Sequence, residues 1–178
     1  MTKTKQLTEC AILIAIAFVL SSIKIYTLPN GGSVTLCSML PLIIISHRNG
    51  LKWGILSGFI YSVLQIFQGF WPPPNPTFIN YCLSFGFDYI IAFTVLGTSV
   101  LFEKPFKNKK IGFVASIIIV SMLRALSHTI VGVIIWESLW GASIIYNFGF
   151  MIPESILIAI VGFYAYNPLE KINLSQTK

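Results

Sequence analysis

LRALSHTIVGVIIW, residues 123–136, is an apolar helical run that carries an arginine and a histidine on one face. Arg124 and His128 stand four positions apart, close to one helical turn, so both side chains leave the helix in nearly the same direction. Trp136 closes the run. A charged side chain at the bilayer centre costs about 2.5 to 3.5 kcal/mol on insertion scales, and such groups turn inward to a partner or a wet cavity. The stretch therefore reads as one wall of a helix bundle with a polar interior.

The whole chain has the same character. It is 178 residues long, 55% hydrophobic and only 10% charged, with a mean hydropathy of +0.79, which lies outside the range of soluble domains. We read an integral membrane protein of the all-α class. A net charge of +6 would point to nucleic acid in a soluble protein. Here the basic residues cluster in short loops between apolar stretches, where they set orientation, so nucleic acid is excluded as a partner. Cys10, Cys37 and Cys82 are scattered and form neither a disulfide framework nor a zinc motif; they read as small core residues. Lys3 and Lys5 before an apolar run imitate a signal peptide, but no small-residue cleavage motif follows, and the segment reads as a retained first helix.

A span needs about 20 apolar residues. Six emerge, at 8–27, 34–47, 52–70, 79–102, 112–136 and 144–165, forming a single transmembrane domain over residues 1–178. The second is short for a full crossing and is expected to be tilted, interfacial or embedded in the bundle. Breaks fall at LPNGGS, HRNGLK, FWPPPNP, EKPFKNKK and ESLWGAS. With a cytoplasmic N-terminus the inner set is Lys3, Lys5, Arg48, Lys52, Lys104, Lys107, Lys109, Lys110, Lys171 and Lys178, ten of the twelve basic residues. Lys24 and Arg124 are the exceptions. That bias puts both termini in the cytoplasm and the chain in the lipid bilayer of a cell membrane. FWPPPNP, with consecutive prolines, is expected to be a stiff extended cap over the outer mouth, and LPNGGS its flexible counterpart.

With orientation set, depth follows from the rise of about 1.5 Å per residue. Asp88 falls roughly 15 Å below the outer surface with Tyr89 beside it, and Tyr61 lies just beyond the middle. Tyr146 and Asn147 open the last helix, and Glu154 lies about two turns deeper. With Arg124 and His128 these groups come from four helices yet occupy one slab, which predicts an outward-facing pocket. Arg124 and Asp88 are expected to pair. Polar residues that only tie helices together remain the plain alternative. Trp71, Trp136 and Trp140 each read as interfacial belt residues, although rings near an acid also form a cage for an organic cation, worth about 0.5 to 2 kcal/mol per ring. His47 reads as a solvated turn residue and Glu9 as an inner-interface residue. Ala11 and Ala15 make a small-xxx-small face on the first helix. GxxxxGK[ST], HExxH and a Ser/His/Asp arrangement are all missing, so the chain cannot use ATP itself and any energised transport must draw on a partner or an ion gradient.

In order, GGSVTLCSMLPLIIISHRNGLKWGILSGFIYSVLQ, FDYIIAF, LRALSHTIVGVIIW and YNFGFMIPES cover nearly the whole chain and resemble the thiamine-specific substrate-binding subunit (S-component) of energy-coupling factor transporters. The resemblance implies a six-helix S-component of a prokaryotic plasma membrane that captures thiamine with high affinity. It also implies docking on a membrane T-component that carries two cytoplasmic ATPases, and no cofactor or metal of its own. By position the acidic-aromatic pair falls on Asp88 and Tyr89, the basic residue on Arg124, the ring-contacting histidine on His128 and the tryptophan on Trp136. Tyr61 and Tyr146 take aromatic positions, and Ala11 and Ala15 correspond to the docking face. Two positions depart: some members carry a tryptophan at Gly32 and others an asparagine at Met151, leaving Asn147 or Glu154 to supply that hydrogen bond. A flat aminopyrimidine joined to a cationic thiazolium suits such a site, with Asp88 accepting from the pyrimidine amine, Arg124 holding Asp88, and His128 and Trp136 stacking on the rings. The alternatives are an S-component for a thiamine precursor or another water-soluble vitamin, and a small intramembrane hydrolase using His128 and Glu154. Against the hydrolase stands the lack of a second membrane histidine or a repeated acidic motif.

Overall fold

The first helix, α1 (Lys3–Ser22), starts at Thr2, whose Oγ1 accepts from the Lys5 amide at 3.4 Å. The computed structural model describes residues 2–176; Lys178, counted among the inner lysines, lies outside the described residues. At Ile23 the backbone becomes extended, and β1 (Lys24–Thr27) pairs antiparallel with β2 (Ser33–Thr35). The turn between them, Pro29–Gly31, has Asn30 and Gly31 at φ 65° and 94°, left-handed values that Asn and Gly adopt at little cost. LPNGGS is thus a structured hairpin turn, not the flexible loop its composition predicts. The expected helices 8–27 and 34–47 accordingly give up residues 23–27 and 34–39 to this hairpin and the turn after it. The β-branched and aromatic Ile25, Tyr26, Val34 and Thr35 favour pairing there over a helix.

α2 (Leu40–Asn49) is about 15 Å long, half a bilayer. Leu40 to Ile43, Ile45 and Ser46 are all buried, so it is embedded among the other helices. Gly50, at φ 87°, turns the chain into α3 (Leu51–Gly69). α4 (Phe78–Glu103), α5 (Lys109–Ile134) and α6 (Trp140–Gln176) follow, capped at their starts by Thr77 for α4 and Asn108 for α5. α1, α4, α5 and α6 are long and apolar enough to cross a membrane. α4 is not uniform: Ser84–Ile91 winds with the wider i→i+5 pattern and Val95–Thr98 with the tighter 3-10 pattern.

The packing is that of a protein solvated by lipid. Phe67, Phe78 and Leu139 are more than four-fifths exposed, while Ser46, Ser62, Ser99, Ser116 and Ser121 are fully buried. Without water, most hydroxyls are satisfied internally: Ser62, Ser116, Ser121 and Thr129 donate to carbonyls three or four residues back on their own helices, whereas Ser99 Oγ has no hydrogen-bond partner among the described residues. α3 and α4 touch backbone to backbone at Gly54 and Gly97, where a Cβ on either would overlap the other's main chain. Beside it Ser46 Oγ of α2 donates to Gly97 O at 2.6 Å.

One end of the bundle is tied by ions. Arg48 pairs with Glu9, His47 with Glu103, and Lys109 Nζ lies 4.0 Å from Glu103 Oε1. His47 is therefore no solvated turn residue: its ring is held between Glu103 and Ser116, with Nε2 3.1 Å from Ser116 Oγ. The last turn of α2 carries it back into the bundle, where an imidazole needs partners. Leu169 of α6 lies in the same neighbourhood. Cys10 and Cys37 are buried as expected of core residues, whereas Cys82 is exposed near the start of α4, where the lipid-facing side has no packing partner.

Candidate functional site

At the opposite end a cavity of about 610 Å³ opens between the helices. Tyr61 of α3, Asp88 and Tyr89 of α4, Arg124 and His128 of α5, and Tyr146, Asn147 and Glu154 of α6 all line it. Trp136 does not. α5 ends at Ile134, two residues short of the expected 136, and the released indole lines an adjoining cavity of about 390 Å³ that shares Asp88, His128, Tyr146 and Asn147 with the first. Asp88, His128 and Trp136 thus face one void, although the tryptophan is set to the side of the main chamber.

The ionic groups form a chain with the imidazole at its centre. His128 Nδ1 is 2.9 Å from Asp88 Oδ1, and Arg124 Nε donates to His128 Nε2 at 3.3 Å. Nε2 accepts, so the donor pattern puts the ring proton on Nδ1, from which it is donated to the carboxylate. The expected direct Arg124–Asp88 pair is corrected here: with Arg124 and His128 one turn apart, the ring fits between guanidinium and carboxylate. Arg124 also lies over the Phe93 ring, its Cζ 4.4 Å from the centroid.

Glu154 is 1% exposed and is anchored from the hairpin: Thr35 Oγ1 donates to Oε1 at 2.5 Å and is itself 2.7 Å from Ser38 Oγ. A buried carboxylate is tolerated only with such donors. Asn147 directs its NH₂ to Ser143 O at 2.9 Å. Tyr146 holds the roof: its hydroxyl donates to Pro29 O and receives the Gly32 amide at 2.9 Å. A Cβ on Gly32 would lie 2.8 Å from Tyr146 Oη and 2.9 Å from Phe150, so the hairpin backbone rests directly on α6 and a larger residue there would have to push these rings aside. Met151 is fully buried in the core and lies outside both cavity walls.

The prolyl segment completes the roof. Residues 70–77 have no helical structure, and the Trp71 ring stands 3.7 Å from where a Gly31 Cβ would be. Trp71 N donates to Tyr89 Oη at 3.1 Å, and that hydroxyl donates to Gly69 O at 3.2 Å. Trp71 thereby faces the main cavity and is more than a belt residue. Other wall residues escaped the sequence reading. Phe150 stands midway between Tyr146 and Glu154 at four-residue spacing, and Gln65 stands four beyond Tyr61, so helical periodicity could have found both. Thr35 and Trp71 sit on non-helical segments, where no period points to them.

Six mainly apolar helices around an end-opening cavity that joins two carboxylates, a guanidinium, an imidazole and several rings define a membrane-embedded protein that holds a small polar or cationic molecule. The family described as thiamine transporter protein matches residues 7–173. A curated relative, thiamine transporter ThiT of Bacillus subtilis strain 168, is 30% identical over 182 aligned positions, covering 90% of this chain and 91% of its own. Two solved structures share the fold at 21% identity. ThiT from Listeria monocytogenes has a TM-score of 0.69 and covers 96% of this chain and 95% of its own. The S component of a bacterial ECF transporter has a TM-score of 0.67 and covers 96% of this chain and 98% of its own. The chain belongs to the thiamine transporter family. Membership sets it among transport subunits and apart from intramembrane hydrolases.

Proposed function

We propose that this chain is the thiamine-capturing S-component of an energy-coupling factor transporter of a prokaryotic plasma membrane. The observation that carries the reading is the cavity wall itself: Asp88, oriented by His128 and Arg124, stands beside the rings of Tyr89, Tyr146 and Phe150 in a chain of the thiamine transporter family. Oδ1 of Asp88 is engaged by His128, and the second oxygen is the acceptor for the pyrimidine amine. The aromatic faces take the thiazolium, whose positive charge suits the ring quadrupoles and the two carboxylates. Trp136, Asn147 and Glu154 bound the ligand from α6 and the adjoining chamber, and Tyr61 closes the floor.

Delivery falls to partners. Ala11 and Ala15 are exposed on α1 along an apolar groove against α3, a face on which another helix can approach closely, and this is the docking face for a T-component with two ATPases. Titrating the purified chain with thiamine while following tryptophan fluorescence tests the binding reading. Saturable quenching supports it; an unchanged signal with thiamine and a response to a different vitamin refutes the assigned ligand.

A further inference from the structure

Lys24 is one of two basic residues that break the inner bias, and the structure gives it an unexpected position. It lines the main cavity, on the side where α1 meets α3. The strand register explains how. Lys24 lies opposite Thr35, and the ladder is irregular between Lys24 and Tyr26, which pairs with Val34. Residues directly opposite in an antiparallel pair share a face. Thr35 Oγ1 reaches Glu154, so that face is the cavity face. In a regular strand Lys24 and Tyr26 would point the same way; the irregularity separates them and sets Lys24, itself solvent-exposed, at the rim of the cavity.

The lobe around it is otherwise neutral and internally satisfied. Gln65 Nε2 donates to Gln68 Oε1 at 2.7 Å and to Ser21 Oγ at 2.9 Å, and Ser21 Oγ donates to Gln68 Oε1 at 2.8 Å. Among the described residues no carboxylate lies within ion-pair distance of Lys24. An uncommitted ammonium in a cavity for a cationic ring system only opposes binding, unless the ligand carries an anionic group at that end. We propose that Lys24 makes the α1–α3 lobe a receptor for an anionic phosphoryl tail, so that this chain takes a phosphate monoester of thiamine at least as well as thiamine itself. The inference rests on the thiamine reading above. The ester oxygen would lie toward the lobe while the rings keep their contacts with α4, α5 and α6.

The test is a parallel titration of the full-length chain with thiamine and thiamine monophosphate, comparing the native protein with Lys24→Gln and Lys24→Arg. The expected result is an ester-to-thiamine affinity ratio of one or more. Lys24→Gln should lower that ratio about tenfold, the size of one charge-assisted contact, Lys24→Arg should restore it, and raised salt should shrink the effect. A ratio unmoved by Lys24→Gln, with thiamine still bound, overturns this inference alone and leaves Lys24 as an interfacial anchor. Failure of both compounds to bind the native chain overturns the thiamine reading with it. Repeating the titration in bilayers of uncharged and of anionic lipid separates the two sources of phosphate: if anionic lipid alone lowers the ratio to the Lys24→Gln value, the lobe belongs to a lipid headgroup and the proposal fails.

Discussion

Asp88 touches the imidazole with one oxygen and is assigned the ligand with the other, so its charge serves two contacts at once. Asp88→Asn keeps the shape and removes the charge. A hydrogen bond to a charged group is worth about 1.5 to 3 kcal/mol, so thiamine affinity should fall about ten- to a hundredfold, read by fluorescence titration. Gly32→Ala acts from the roof: the new methyl meets Tyr146 Oη and Phe150 at under 3 Å, which should lift the hairpin and speed ligand release, measured by stopped-flow competition. These residues were differently legible. Asp88, Arg124 and His128 could be found because an ionisable group in an apolar run needs a reason to be there. Their order in space could not: that the imidazole sits between the charges depends on rotamers chosen by neighbouring helices. Thr35 is chemically ordinary in the sequence, and only its reach to Glu154 makes it part of the wall.

Among the elements, the β1–β2 hairpin departs most from the sequence expectation. Apolar residues before and after LPNGGS extend the two helical patterns, and nothing in hydropathy distinguishes a paired strand from another helical turn. The pairing is decided by what lies beneath, where Glu154 and Tyr146 supply partners for Thr35, Pro29 and Gly32. Thr35→Val conserves shape while leaving Glu154 short of a donor. It should cost about 1 to 3 kcal/mol of stability, visible as a lower melting temperature in detergent, and should loosen the hairpin more than the helices in hydrogen exchange. α2 shows the reverse case. Its shortness was plain in the sequence, and its burial follows because a helix of ten residues cannot reach both interfaces.

The molecule as a whole is polarised. Ion pairs among Glu9, Arg48, His47, Glu103 and Lys109 lock the lysine-rich end, while the other end is open and roofed by two loops. The charge count predicts that this axis stands with the cavity outside. In a background where Cys82 is replaced by serine, a membrane-impermeant maleimide applied to intact cells should label Glu137→Cys, on the exposed connection before α6, and spare Lys107→Cys until the cells are broken. The opposite pattern would invert the topology and turn the cavity toward the cytoplasm. Six helices were readable because lipid permits so few solutions. The cavity's shape was not, since it depends on how closely glycines such as Gly54 and Gly97 let α3 and α4 approach.

The wide winding at Ser84–Ile91 holds Asp88 and Tyr89 at a phase that an ordinary helix of the same length would not give them. Removing one residue from that stretch and letting it relax to regular pitch would rotate one flank against the other by about 100°. The acid would then be carried out of the chamber while the lower half of α4 kept its seat on α3. A shortened chain of this kind should still insert and fold, yet be blind to its vitamin.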